Sequence, residues 1–279
     1  MPRSISVLVL AGRRADKPEP LADEHGVSDK CLVPVGGLAL IDHVLSTLAS
    51  HSQIGRIIVS INDPLLLDGL PVSGPLIRSA RVITAKASGN LADSVLAAAE
   101  KLRFPILVTT ADNVLLTHEA ITKMIRESLG SYASAAVAFA RRADVLAAHP
   151  NGQRGFYRFR DDSYSNCNCY WIGNRMALSA AEIFRSGGQF AKNPIRIASN
   201  FGLINLIRFR FGWTSLKGAF SNFSRRFGFV IHPVIFNDGS LAIDVDNDRT
   251  HRIVAEILDR RQRQNLGDYG PKDALAAQR

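Results

Sequence analysis

The order of apolar runs along this chain predicts an α/β fold, a parallel sheet with helices on both of its faces. Three observations carry that expectation. Short, mostly apolar runs at residues 4–10, 56–61, 105–109 and 133–140 have the texture of strands covered on both sides. Segments with apolar residues at helical spacing lie between them, and strand–helix alternation of this kind builds a parallel sheet. Glycine, cationic groups and carboxylates collect just after the apolar runs, at the strand ends where such a sheet holds its ligands.

Residues 4–10 form the first strand. Residues 13–29 are polar and rich in Pro, Asp and Glu, and read as a long loop; 31–37 read as a short apolar strand ending in a turn. Leu40, Ile41, Val44, Leu45 and Leu48 share one face of a helix over 40–50. Strands follow at 56–61, 81–84, 105–109 and 133–140. Between them, 90–102 repeat apolar and small residues at helical intervals, and 117–129 form a helix that Thr117 caps through its hydroxyl. After Arg142 the texture changes. Residues 155–160 and 168–172 read as a small strand pair off the main sheet, and 188–198 as irregular. Residues 199–212 and 215–228 read as two helices, 229–236 as a strand and 250–263 as a final amphipathic helix. With no repeat and no linker, 1–263 are expected to form one domain carrying an inserted subregion at 150–235, and 264–279 a flexible tail.

A chain of 279 residues, 46% hydrophobic and 21% charged, is long enough for a sizeable core and has ordinary globular composition. Its net charge of +9 favours an anionic partner: nucleotide phosphates, nucleic acid or an acidic membrane surface. A solvated basic surface is the plain alternative. Cys31, Cys167 and Cys169 make neither a disulfide framework nor a zinc spacing, and are expected to be reduced thiols of a cytoplasmic protein. The first residues lack the pattern of a secretory signal. No uninterrupted apolar stretch reaches the roughly 18 residues of a membrane-spanning helix.

Three segments carry chemistry. The first, Leu10-Ala11-Gly12-Arg13-Arg14, follows the first strand. Gly12 lets backbone N–H groups approach a phosphate, and Arg13 and Arg14 can clamp one at two points; an ordinary turn glycine is the alternative. Lys30, downstream, is placed to neutralise charge on a leaving pyrophosphate. The second segment is Thr109-Thr110-Ala111-Asp112-Asn113. An ionised Asp112 at the end of a buried strand is costly unless a metal or a donor meets it, and the next helix starts too late for Asp112 to cap it. Asn113 either supports Asp112 or faces a sugar. The third is Asp244-Val245-Asp246-Asn247, where two carboxylates flank Val245 and point the same way along an extended chain. With Asp112 opposite, they can hold Mg²⁺ between phosphate oxygens, one as ligand and one as helper. Asn247 or Asp248 then starts the last helix. Ser88-Gly89-Asn90, followed by Asp93 and Ser94, offers small polar groups at a helix N-terminus, suited to a base or a phosphate and equally to a plain turn.

In this order the segments resemble the MobA-like NTP transferases, a nucleotidyltransferase group. That family opens with Leu-Ala-Gly-Gly-x-Gly-x-Arg, continues with Lys-x-Leu-x-Pro-Val-x-Gly, and places one metal Asp after the central strand and a second ligand near the C-terminus. The matches here are Leu10-Ala11-Gly12, Lys30-Cys31-Leu32-Val33-Pro34-Val35-Gly36-Gly37, Ala111-Asp112-Asn113 and Val245-Asp246-Asn247, with a looser match at Gly89 and Ser94. Arg13 and Arg14 stand where the family has its further loop glycines. The resemblance covers about residues 4–140 and 229–260. It implies a three-layer α/β/α Rossmann-like mixed sheet of the nucleotide-diphospho-sugar transferase type. It also implies transfer of a nucleoside monophosphate from an NTP to a phosphorylated small-molecule acceptor, with release of pyrophosphate and with Mg²⁺ as cofactor. The implied roles are Lys30 and Arg14 on the phosphates, Asp112 and Asp246 on the metal, and Leu10, Ala11, Gly12, Arg13, Gly89, Asn90 and Ser94 around the nucleotide.

Nothing in that resemblance extends to 150–235. Asn166 and Asn168 are candidates for facing the acceptor, or form a polar turn into a strand. The basic, aromatic segment 206–227 has three readings: an interfacial hairpin on anionic membrane, a surface stacking on nucleic acid, the less favoured partner, or aromatics packed on the sheet with arginines reaching water. A non-catalytic nucleotide-binding or membrane-associated module on the same scaffold is the alternative to an enzyme. A P-loop kinase and a dinucleotide oxidoreductase are disfavoured because Gly-x-x-x-x-Gly-Lys-Ser/Thr and Gly-x-Gly-x-x-Gly are both missing.

Overall fold

The computed structural model describes residues 4–13, 18–181 and 213–268. At its centre is a mixed sheet of eight strands. Strand β1 (Ile5–Leu10) lies in the middle, parallel to β4 (Ile54–Ile61) on one side and to β6 (Ile106–Thr110) on the other. Beyond β4 comes β5 (Val82–Lys86), also parallel. Beyond β6 the sense reverses: β9 (Ser163–Ile172) runs antiparallel between β6 and β7 (Ala135–Arg141). The far edge is β10 (Ile231–Phe236), parallel to β7, while the short β8 (Tyr157–Arg158) pairs with β9.

Each central strand feeds two cores. Val7, Val9 and Leu107 face one, and Leu8, Ile106 and Val108 face the other, which is why these strands read as continuous apolar runs. The first core is covered by α2 (Leu40–Ser50), α5 (His118–Gly130) and α9 (Asp248–Asp268), through residues such as Leu45, Leu48, Ile121, Met124, Val254 and Ile257. Each such side chain contributes about 1.5–3 kcal/mol by leaving water. The second is covered by α4 (Leu91–Ala99) and α8 (Leu216–Phe227), through Val95, Ala98, Leu216, Ala219 and Phe220. This is the three-layer arrangement that the alternation and the resemblance led one to expect. Thr117 caps α5 as anticipated, its hydroxyl oxygen accepting the Ala120 N–H at 3.2 Å.

Several expectations need correction. The supposed pair off the main sheet is largely part of it: β9 is ten residues long, starts five residues before the expected 168, and fills a central position. An antiparallel strand there can be two-sided and polar in places, so its apolar signal is weak. Within 13–29 there is a helix, α1 (Pro20–Glu24), started by proline at its first turn and anchored by buried Leu21 and Ala22. Residues 31–37 are no single strand. A 3₁₀ turn over Lys30–Leu32 leads into a two-residue hairpin of β2 (Pro34–Val35) and β3 (Leu38–Ala39). Gly36 and Gly37 turn it with φ of +56° and +86°, values that two successive glycines supply without strain. Three short helices, α3 (Ser73–Arg78), α6 (Arg142–Ala148) and α7 (Leu178–Ala181), were not expected. Helix α9 begins at Asp248 and continues to Asp268, past the point where the tail was expected to start.

The basic, aromatic segment divides. Residues 206–212 and the expected helix at 199–212 lie outside the described residues. In α8, Leu216, Ala219 and Phe220 are buried, Phe220 meets Phe139 edge-on at 5.7 Å between ring centres, and Arg225 and Arg226 are exposed. The aromatic face of this helix therefore serves the core, and its arginines reach water. Among the described residues no helix is long and apolar enough to cross a membrane.

Candidate active site

Three carboxylates converge beyond the carboxyl ends of β6 and β10. Asp112 lies two residues past β6. After β10 a 3₁₀ turn (Gly239–Ala242) returns the chain to the sheet in extended form, with Ile243 and Val245 buried. The alternation of extended chain then turns Asp244 and Asp246 to the same side. The Val245 N–H donates to the Asp112 carbonyl at 3.2 Å, joining the two loops. One carboxylate oxygen from each of Asp112, Asp244 and Asp246 lies within 4.8 Å of the others.

Lys30 closes this group. The 3₁₀ turn that carries it is held by Glu19, whose carboxylate accepts the Lys30 backbone N–H at 2.7 Å. Its Nζ donates to Asp112 Oδ2 and Asp246 Oδ1, each at 2.6 Å. Burial alone would lower the Lys30 pKa, but the two carboxylates outweigh it and hold the ammonium above the ordinary lysine value. Asp246 shows the mirror effect: burial opposes its charge, yet Lys30 keeps its pKa below the usual carboxylate range. Asp244 goes the other way. Burial, then the charges of Asp246 and Asp112, push it well above the ordinary value, and Lys30 only partly offsets them.

The donors fit a hard divalent cation. All are carboxylate oxygens, the ligand type that Mg²⁺ prefers. Three carboxylates face one ammonium, so negative charge is left over. Asp112 Oδ1 is buried and has no hydrogen-bond partner, a costly state for an acceptor unless a cation meets it.

Neighbouring groups fix the loops. Asn113, expected to support Asp112 or face a sugar, is buried; its Nδ2 donates to Thr109 Oγ1 and to the Cys167 carbonyl, both at 3.1 Å. It therefore ties the β6 loop to β9 and does not face a ligand. Asn247 caps α9 through its side-chain oxygen, which accepts the Thr250 N–H at 3.2 Å, while Thr250 Oγ1 accepts the Asp246 N–H at 2.9 Å. Arg261, far along α9, donates to the Leu115 carbonyl at 3.0 Å, to Ser240 Oγ at 2.8 Å and to Asp238 at 2.9 Å, bracing both acidic loops from behind.

The second half of the site is a cleft at the ends of β1, β4 and β5, lined by Leu10, Gly12, Arg13, Ser60, Ala87, Ser88, Gly89, Asn90 and Ser94. Its walls are mostly backbone and small side chains. The Ala11 N–H donates to the Ser60 carbonyl at 2.8 Å, and the Arg13 N–H to Asn62 Oδ1 at 2.5 Å. A β-carbon on Gly12 would come within 2.5 Å of Ala87 Cβ, so glycine is needed here for close approach of the two loops. Asn90 caps α4 by accepting the Asp93 N–H at 2.9 Å, and Ser94 Oγ accepts the Ser88 N–H at 3.0 Å.

The structure thus brings together two groups of the residues singled out in the sequence. Lys30, Asp112 and Asp246 form one, and Leu10, Gly12, Arg13, Gly89, Asn90 and Ser94 the other, with Ala11 anchored beside them. Arg14 lies outside the described residues. Asn168 faces Asp244, its Nδ2 donating to Asp244 Oδ2 at 3.0 Å, and Asn166 donates to the Tyr170 hydroxyl at 3.0 Å. Sequence reasoning left Asp244 as a helper of undefined place, and it missed Glu19 and Asn62 altogether. The x-Asp-x-Asp spacing was the available signal for Asp244; nothing local marked the other two.

Comparison with known proteins agrees with this fold. No curated protein is significantly similar to the chain in sequence. Among solved structures, a hypothetical transferase from Thermus thermophilus is 21% identical over 89% of this chain and 99% of that one, with a TM-score of 0.71. The CMP:2-keto-3-deoxy-manno-octonic acid synthetase complexed with CTP is 10% identical over 93% of this chain and 99% of that one, with a TM-score of 0.56. A 4-diphosphocytidyl-2C-methyl-D-erythritol synthase from Anaerococcus prevotii is 11% identical over 92% of this chain and 96% of that one, with a TM-score of 0.52. At these identities the likeness is one of fold. The family model of the MobA-like NTP transferase domain matches residues 7–262, a span that contains Lys30, all three aspartates and the small-residue cleft, and the chain belongs to that family of nucleotidyltransferases.

Proposed function

We propose that this nucleotidyltransferase moves a nucleoside monophosphate from an NTP to a phosphorylated small-molecule acceptor, with Mg²⁺ held by Asp112, Asp246 and Asp244. An acceptor phosphate oxygen attacks the α-phosphorus, the bond from that phosphorus to the bridging oxygen breaks, and pyrophosphate leaves with the electron pair. The observation that carries this reading is the set of three carboxylates within 4.8 Å, one of them with a buried, unpartnered oxygen. A divalent cation bound there supplies charge neutralisation for the triphosphate as negative charge shifts between its oxygens.

The chain's own groups do the positioning, which dominates in phosphoryl-type transfer. Lys30 keeps its proton across the physiological range and holds a fixed positive charge beside the carboxylates. Gly12 and the backbone of Leu10, Ala11 and Arg13 give the nucleotide a wall without side-chain bulk, and Arg14 adds a second guanidinium for the phosphates. Gly89, Asn90 and Ser94 form the opposite wall at the start of α4. The net charge of +9 favours the approach of anionic substrates from solution. The test is pyrophosphate release with each of the four NTPs against a panel of phosphorylated acceptors. Release is expected with one NTP, lost on adding EDTA and restored by excess Mg²⁺. Release that is unchanged in EDTA would remove the metal from the scheme, and none with any pair would remove the acceptor class.

A further inference from the structure

Strand β9 carries an irregularity at its most sensitive place. Its pairing with β7 shifts between Val137, opposite Tyr170, and Phe139, opposite Asn166, so β9 has two more residues than β7 over this stretch. The excess is accommodated around Cys167-Asn168-Cys169. Both cysteines are buried in the core, and between them Asn168 takes a φ of +47°, in the left-handed region. Asparagine tolerates this region better than most residues, yet glycine would occupy it at lower cost.

The conformation is held by a closed set of hydrogen bonds. The Asn168 N–H donates to Asn166 Oδ1 at 2.7 Å, Asn166 Nδ2 donates to the Tyr170 hydroxyl at 3.0 Å, and that hydroxyl donates to Asn168 Oδ1 at 3.3 Å. The carboxamide is therefore oriented, with its oxygen on Tyr170 and its NH₂ on Asp244 Oδ2 at 3.0 Å. The amide oxygen already accepts from Tyr170, so the nitrogen is the end left to face Asp244. The same bulge is gripped from its other side, where Asn113, next to Asp112, donates to the Cys167 carbonyl. One distortion of one strand thus touches the loops of two of the three carboxylates.

We propose that Asn168, oriented by Tyr170 and Asn166, is a positioning residue that fixes Asp244 within the cation site. It makes no contact with substrate in this role. It occupies one oxygen of Asp244 so that the other is presented to the ion. Groups behind metal ligands act in this way, and their loss typically weakens metal affinity about 10- to 100-fold. The inference rests on the cation assigned to the three aspartates above.

The test is Mn²⁺ binding to the nucleotide-free protein, followed by the loss of the free-ion electron paramagnetic resonance signal, together with thermal melting in EDTA. Asn168→Gly removes the amide and fits the left-handed backbone. It is expected to weaken Mn²⁺ binding about 10- to 100-fold, with a melting temperature in EDTA at or above that of the wild type. Tyr170→Phe, which frees the amide oxygen but leaves the amide in place, should weaken Mn²⁺ binding by a smaller factor. Wild-type Mn²⁺ affinity in Asn168→Gly would overturn the positioning role while leaving the metal assignment intact. Failure of the wild type itself to bind Mn²⁺, with or without NTP, would overturn both.

Discussion

The two halves of the candidate site are built on different principles. At the ends of β6 and β10, charged side chains do the work: Lys30 bridges Asp112 and Asp246, Asn168 holds Asp244, and each loop is braced by hydrogen bonds from Asn113, Thr250 or Arg261. At the ends of β1 and β5 the surface is backbone and small residues, with Gly12 against Ala87 and the Arg13 N–H on Asn62. The acidic half depends on which groups are present, and the cleft on which groups are absent. Substitutions should therefore fail in different ways: loss of chemistry in the first, loss of space in the second.

The sharpest break should come from Asp112→Ala. It removes a carboxylate whose one oxygen binds Lys30 and whose other is buried and unpartnered. Pyrophosphate release should fall on the order of 1,000-fold or more, with little change in NTP affinity measured by equilibrium titration. A comparable loss of affinity would mean that the two halves are not separable. The intermediate case is Gly12→Ala. Its β-carbon meets Ala87 at 2.5 Å, an overpacking that costs about 1–3 kcal/mol. NTP affinity should fall about tenfold, equivalent to about 1.4 kcal/mol, and adding Ala87→Gly should recover most of it. No recovery in the double variant would argue against space as the principle of the cleft.

The smallest effect should separate both halves from the rest of the fold. His51 is buried between Gln53, whose N–H its Nδ1 accepts at 3.2 Å, and the Thr122 hydroxyl at 3.0 Å from Nε2. Burial, then the neighbouring His118, lower its pKa. The unfolded chain then takes up a proton near the ordinary histidine value of about 6.5, while the folded chain resists it. Stability from this group is complete above that value and is lost as pH falls toward the folded pKa. Melting temperature should thus decline from pH 7 to pH 5, and His51→Gln should flatten part of that decline without changing Mn²⁺ binding. An equal slope in the variant would assign the acid loss to other groups, His232 among them, whose pKa burial also lowers.

What could be read in advance follows the same division. Asp112 and Asp246 stood out because a charge at the end of an apolar strand needs a partner, and that cost is local; Lys30 stood out through the Lys-x-Leu-x-Pro-Val-x-Gly string that it opens. The central parallel strands were legible because burial on both faces leaves unbroken apolar runs. Strand β9 was half missed because Ser163, Ser165 and Asn166 interrupt its pattern, and their reason is tertiary: Ser163 pairs with β8, Ser165 and Asn166 pair with β7, and Asn166 meets Tyr170. The helix at Pro20–Glu24 was missed because five residues with two buried side chains give too short a period to detect. Glu19 and Asn62 act on backbone N–H groups of residues distant in sequence, and no spacing within the chain announces such a pairing.

The place of β9 in the sheet also has a consequence for how the molecule is assembled. β7 follows β6 along the chain but lies two strands away, about 10 Å at the usual spacing, and the gap is filled only when the chain returns as far as Ile172. β7 then waits for β10, encoded later still. Pairings of such long sequence separation are slow to form, and until they do both β6 and β7 carry open edges that invite association between chains. Asp112 stands just past the first of these strands and Asp246 beyond the last. Catalytic activity recovered during refolding should therefore lag behind helix formation and report the closing of the whole sheet.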